Sequence, residues 1–215
     1  MGAELLILGC GGLAKEAAQL ARRIDPDGHR WEGISYVAES SAMLGTELPY
    51  GRVMYTDADL DQRTQPADVV IGTGHPGVRR KLAQRFCRQA QLHFPNLIHP
   101  QIDLDSRWVR LGRGNMLTIG TVLTCDIELG DFNLLNWNCT IGHDARIGSF
   151  NVINPSASIS GGVRIGDACL IGTGARIVEQ LEICSDSTIG AGAVVTRSVS
   201  VPGIYIGIPA RLKSA

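Results

Sequence analysis

The dipeptide His143-Asp144, within Gly142-His143-Asp144, is the pair in this sequence best equipped to move a proton. A carboxylate beside an imidazole holds the ring's orientation and raises its basicity, which is the make-up of a general base. The other four histidines, His29, His75, His93 and His99, all precede it in the first part of the chain. A second stretch, Gly9-Cys10-Gly11-Gly12, has the make-up of a phosphate cradle. Glycines allow a tight turn and close backbone approach, and the helix N-terminus that follows offers free N–H groups and the positive end of its dipole. Ala14 stands at the third position of the G-x-G-x-x-G pattern, which tolerates it. No serine or cysteine lies in a triad-like setting, so the chemistry needs no covalent intermediate on the protein.

His143 sits inside a repeat that must position it. Every sixth residue from 111 to 195 is a branched aliphatic: Leu111, Leu117, Leu123, Leu129 and Leu135 open the series, Ile141 to Ile189 continue it, and Val195 ends it. Small or short residues often lie two positions earlier, such as Asn115, Asn133, Cys139, Ala157 and Ala175, and Gly often follows, as at Gly130, Gly148 and Gly166. A period of six fits neither a helix nor an ordinary strand and marks a hexapeptide parallel β-helix. Three hexads close one triangular coil, and coils stack at about 4.8 Å, so residues eighteen apart lie on top of one another. Ile141 points inward and His143 outward. One coil on, Gly161 and Gly162 leave a bare strip of backbone beside the base, wide enough for a thin ligand, whose N–H groups could stabilise an oxyanion. Pro155, Thr173 and Ala191 form a second small column, and Asn136 and Asn138 offer amides near the corner of His143.

Upstream of the repeat, residues 4–8 read as a buried strand running into the glycines, and residues 13–23 as a helix. Residues 31–37 form a second strand ending at Ala38-Glu39, where a Rossmann domain places an acidic residue on a ribose or base. Residues 44–55 are turn-rich, and 57–65 hold a short helix. A third strand, 67–72, leads into a βα turn at Gly72. A basic amphipathic helix over 78–89, with Leu82 and Phe86 inward, precedes a last strand over 92–98. The order predicts a small parallel sheet. The fold class is therefore an α/β Rossmann-like domain (1–100), a parallel β-helix (101–200) and a C-terminal cap (201–215). Residues 103–108 read as an imperfect first coil, and about five coils follow.

With 215 residues and a net charge of −1 spread along the chain, bulk binding to nucleic acid or membrane is not expected. No apolar run reaches the roughly 18–20 residues of a membrane span, and the N-terminus lacks the features of a signal peptide. The six cysteines show no C-x-x-C spacing. They read as reduced thiols of a cytoplasmic protein.

Several motifs occur together and in order: Gly9 to Lys15, Leu97-Ile98-His99-Pro100, Asn136 with Ile141 to Asp144, Ile189 to Val195, and Gly207-Ile208-Pro209-Ala210. In combination they resemble the family of sialic-acid O-acetyltransferases and bacterial nucleotide-aminosugar N-acetyltransferases, over essentially the whole chain. The resemblance implies a homotrimer of left-handed β-helices with N-terminal Rossmann-like domains. It implies acetyl-CoA as donor, no metal, and a nucleotide-linked amino sugar or a sialic acid as acceptor. By resemblance, His143 is the general base and Asp144 its supporting carboxylate. Asn136 contacts the acceptor sugar. Gly161, Thr173 and Ala191 lie along acetyl-CoA in a cleft between subunits. Gly11, Gly12 and Leu13 cradle the nucleotide, with Gly72 at the next turn and Glu39 near the base or ribose. Three positions depart from the family's habit: Leu13 and Val152 stand where it commonly has histidine, and Ala38 where it has a first acidic residue. Other classes fit less well. A zinc hydratase on this fold needs three histidines per metal, a scaffold would show ladders of Thr or Asn along one face, and an NAD-dependent oxidoreductase leaves the β-helix without a task.

Overall fold

The computed structural model describes residues 3–213. The apolar strand β1 (Ala3–Leu8) lies at the centre of a six-stranded sheet with β2 (Trp31–Ala38), β3 (Glu47–Leu48), β4 (Gly51–Thr56), β5 (Ala67–Ile71) and β6 (Leu92–His93). The order is β3-β4-β2-β1-β5-β6. All neighbours are parallel except β3, which turns back antiparallel on β4. The stretch read as turn-rich therefore contains a hairpin. Three helices complete this half: α1 (Gly12–Ile24), α2 (Asp57–Asp61) and α3 (Pro76–Phe86).

The stretch expected as one last strand divides in two. Leu92–His93 pairs with β5, whereas Leu97–Ile98 pairs in parallel with Met116–Leu117 of the β-helix. The residues between explain the break. The Asn96 side chain donates to the Gly112 carbonyl at 2.7 Å and accepts from the Asn115 N–H at 2.8 Å, which commits the chain to the helix. No strand forms between Ile98 and Val109, so the imperfect first coil keeps only its two outer sides.

The left-handed β-helix has three faces. One contains Met116–Leu117, Leu134–Leu135, Val152–Ile153, Leu170–Ile171 and Thr188–Ile189, and is called the docking face. The middle face runs from Val122–Leu123 through Thr140–Ile141, Ser158–Ile159 and Arg176–Ile177 to Val194–Val195. The charged face runs from Val109–Leu111 to Glu182–Ile183. The repeated aliphatics pair in register eighteen residues apart, as Ile141 with Ile159, and fill the interior. Burying each such side chain contributes about 1.5–3 kcal/mol. At one inner corner the asparagines form a ladder: Asn115, Asn133 and Asn151 each accept from the backbone N–H eighteen residues on, at 2.7–2.8 Å.

Each corner turns on a residue with positive φ, three positions after the aliphatic. The series includes Gly120, Asp126, Phe132, Asn138, Asp144, Phe150, Gly162 and Gln180. After Val195 the coil shortens. Ile204–Ile206 still pairs with Thr188–Ile189, and Arg211–Leu212 folds back antiparallel over that edge as a cap.

The docking face is covered by the N-terminal half. Its outward residues Met116, Leu134 and Val152 are buried in one cluster with Ala14, Ala17, Ala18 and Ala21 of α1. Alanine on α1 permits this close approach. Gly72 adds to it, because a Cβ there would lie 2.8 Å from Ala14. Val152 is thus a core residue between the two halves.

His99 closes the junction. It is nearly buried, the Gln101 N–H lies 3.2 Å from its Nδ1, and Arg23 Nη1 lies 3.2 Å from its Nε2. Burial and the Arg23 charge hold its pKa below the usual histidine value. The unfolded chain therefore takes up this proton more readily than the folded one, and stability falls as pH drops below about 6.5. Chemical denaturation at about pH 7.5 and about pH 5.5 is expected to show a larger loss for the wild type than for His99→Gln. Equal losses would remove His99 as a source of acid sensitivity.

Candidate active site

His143 and Asp144 follow the middle-face strand Thr140–Ile141 and occupy its corner with the charged face. Neighbouring side chains on a strand point to opposite sides. Here Asp144 has φ 60°, a left-handed conformation that aspartate tolerates better than most residues. The turn brings its carboxylate back, and Oδ2 lies 2.6 Å from His143 Nδ1. Both side chains are well exposed, at 61% and 60%. With Nδ1–H donating to the carboxylate, the lone pair resides on Nε2, which has no partner among the described residues and can accept a proton from a ligand.

The strip beside the base is only partly bare. The imidazole lies across Gly161, where a Cβ would come within 2.6 Å of Cε1 and Nε2. Gly162 is not open. The Gln180 amide, one coil further on, fills the space its side chain would take. Gly161 therefore makes room for the base itself.

Asn136 does not share the corner of His143. It follows Leu134–Leu135, and the left-handed turn at Asn138 separates it from the strand that leads to His143. Its Oδ1 is buried without a hydrogen-bond partner among the described residues. Thr173 and Ala191 lie on that same edge, between docking and middle faces, together with Trp137 and Ile119. Beside them, a Cβ on Gly174 or Gly192 would meet nothing within 4 Å. The candidate residues thus line both edges of the middle face, whose strands present short Thr140 and Ser158 between them.

In the N-terminal half, Gly11 caps α1, and a Cβ on Gly11 or Gly12 would meet nothing within 4 Å. Both glycines are exposed and no side chain crowds the start of α1, as a phosphate seat requires. Leu13 is half-buried in the first turn and Glu39 is exposed just past β2. Gly72 lies at the end of β5, against α1, and its missing side chain serves packing.

A broad groove of about 820 Å³ runs along the charged face over Arg110, Glu128, Arg146, Arg164 and Glu182. It contains none of the candidate residues. Glu128 is held below the usual carboxylate range, first by its hydrogen bond from Arg110 and also by the charges of Arg146 and Arg164. Among the described residues no three His, Cys, Asp or Glu side chains cluster to hold a metal, and no helix is long and apolar enough to cross a membrane.

Gly161→Ala is expected to displace the imidazole from its bed and break the 2.6 Å contact with Asp144. Gly161 itself is outside the left-handed region, so the fold should tolerate the methyl group. A crystal structure of the variant with His143 unmoved would contradict this geometry.

Residues 144–179 and 162–197 match the bacterial transferase hexapeptide family (six repeats). No curated protein matches the sequence significantly. Among solved structures, perosamine N-acetyltransferase from Caulobacter crescentus, in complex with CoA and GDP-perosamine, is 27% identical with a TM-score of 0.83, covering 99% of this chain and 97% of that one. The acetyltransferase domain of PglB from Neisseria gonorrhoeae, in complex with acetyl coenzyme A, is 26% identical with a TM-score of 0.89, covering 99% and 100%. WeeI from Acinetobacter baumannii is 27% identical with a TM-score of 0.84, covering 98% and 99%. The transferase hexapeptide repeat over residues 144–197, and an architecture similar to these acetyltransferases along nearly the whole length, make this chain an acyltransferase.

Proposed function

We propose that this chain transfers the acetyl group of acetyl-CoA to the amine of a nucleotide-linked amino sugar, with His143 as general base. The observation that carries the reading is the His143–Asp144 pair at 2.6 Å, with Nε2 left free on an exposed corner. The choice of nitrogen over a sugar hydroxyl is supported by the perosamine enzyme, whose structure holds an amino-sugar nucleotide together with CoA.

The residues divide the work. The α1 N-terminus at Gly11, Gly12 and Leu13 seats the diphosphate, with Gly72 shaping the adjoining turn and Glu39 at the ribose or base. Asn136, half-buried on that edge, holds the acceptor sugar. The edge of Thr173, Gly174, Ala191 and Gly192 is poor in side chains and suits the thin arm of acetyl-CoA. The amine lone pair attacks the thioester carbonyl, forming the C–N bond. Nε2 of His143 takes the amine proton, and Asp144 stabilises the imidazolium. The C–S bond then breaks, and the proton passes from His143 to the departing thiolate. Residues 1–100 thus present the acceptor, 101–200 carry the transfer, and 201–215 cap the stack.

One chain separates these groups across the middle face. A homotrimer would close the gap by setting the Asn136, Thr173 and Ala191 edge of one subunit against the His143 and Gly161 edge of the next. Short Thr140 and Ser158, outward in the middle of that face, suit such an approach.

His143→Ala is expected to lower kcat by roughly 10²–10⁴ while acetyl-CoA still binds. Asp144→Asn, which keeps the left-handed turn but not the charge, should give a smaller loss. Near-normal kcat in His143→Ala would remove His143 as the base.

A further inference from the structure

Arg79, in the first turn of α3, is fully buried, and among the described residues no carboxylate pairs with it. An unpaired buried charge is costly, and an apolar side chain of similar length would fill the same space more cheaply. Its partners are backbone carbonyls. Nε donates to Phe132 at 2.9 Å, Nη1 to Ile71 and Thr73 at 2.9 Å each, and Nη2 approaches Asn133 at 3.5 Å. Burial pushes the guanidinium down to about 9, so it remains charged at neutral pH.

The position of these carbonyls is the informative part. Ile71 and Thr73 flank Gly72, the turn that packs against the first turn of α1. Phe132 and Asn133 lead directly into Leu134–Leu135 and then Asn136. One rigid, planar fork therefore spans the turn beside the phosphate seat and the strand that delivers Asn136. A lysine ammonium is a single point donor and cannot hold that spread of acceptors.

We infer that Arg79 is a positioning residue that sets the distance between the nucleotide seat at α1 and the sugar contact at Asn136, so that a nucleotide-linked acceptor is presented in register. The inference rests on the acceptor reading above. It assigns Arg79 no contact with substrate.

The test compares wild type with Arg79→Lys and Arg79→Met. The acceptors are nucleotide-linked amino sugars and an amino-sugar 1-phosphate that lacks the nucleoside. Arg79→Lys should lose about 10–100-fold in kcat/KM for the nucleotide-linked acceptor, in keeping with misplacement of order 1 Å. Its KM for acetyl-CoA and its kcat/KM for the short acceptor should stay near wild type, and Arg79→Met should show the same split. Hydrogen exchange gives a second readout. GDP, UDP or dTDP, whichever binds, should slow exchange of the Leu134 and Asn136 amides in wild type, and less in the variants. Equal losses for both acceptors, no loss for either, or failure of both variants to fold would make Arg79 merely structural and overturn the inference. A wild type that binds none of these nucleotides and acetylates no nucleotide-linked amino sugar would instead overturn the acceptor reading, and this inference with it.

Discussion

The left-handed residue at every corner of the β-helix is the constraint on which the rest depends. A branched aliphatic every six residues fills the interior, but the coil closes only because the chain turns sharply three positions later. Glycine supplies that turn without strain at Gly120, Gly162, Gly174 and Gly192. At Phe132, Phe150 and Gln180 an ordinary side chain adopts it instead, at a cost of about 1–2 kcal/mol each. The stack on either side offsets that cost through ladder hydrogen bonds and buried aliphatics. Phe132 and Phe150 also stack with ring centroids 5.8 Å apart, and Phe94 meets Phe132 edge-on at 5.3 Å. The same turn shapes the candidate site, because the left-handed Asp144 reaches back to the imidazole that precedes it.

A second constraint joins the halves of the molecule. The docking face is apolar on its outside as well as its inside, through Met116, Leu134 and Val152, so it must be covered. The alanine face of α1 covers it and thereby places the helix N-terminus, the proposed phosphate seat, at a fixed place relative to the coils. Covering this corner also buries the carbonyl of Phe132, which then needs a donor. Arg79 supplies it from the other half. The middle face has the opposite character. Its central outward residues, Thr140 and Ser158, are short and polar, and it carries the candidate residues along both of its edges.

Much of this was legible in the residue pattern. The period of six named the β-helix, its extent and its interior columns, because every inward position obeys one rule. The glycine turn before α1 and the proton-transfer make-up of His143-Asp144 were equally visible. The corners were not. Glycine, aspartate and asparagine take many of them, but Phe132, Phe150, Ser156, Ala168 and Gln180 take others, where the stack imposes the left-handed turn against local preference. That is why Asn136 was expected at the corner of His143 when it lies one corner earlier. The filling of Gly162 by Gln180 could have been found by counting one more coil of eighteen residues. Arg79 was masked by its own type. It occupies the inward stripe of α3 with Ala83 and Phe86, at spacings of four and three, where a basic residue reads as solvated.

The most direct measurement is thiol release from acetyl-CoA by the wild-type protein, offered GDP-, UDP- and dTDP-linked amino sugars alongside free and CMP-linked sialic acids. Release with at least one nucleotide-linked amino sugar, with the acetyl group recovered on its nitrogen, is the predicted result. Release only with sialic acids, or no release with any acceptor while acetyl-CoA is bound, would contradict acetyl transfer to a sugar amine.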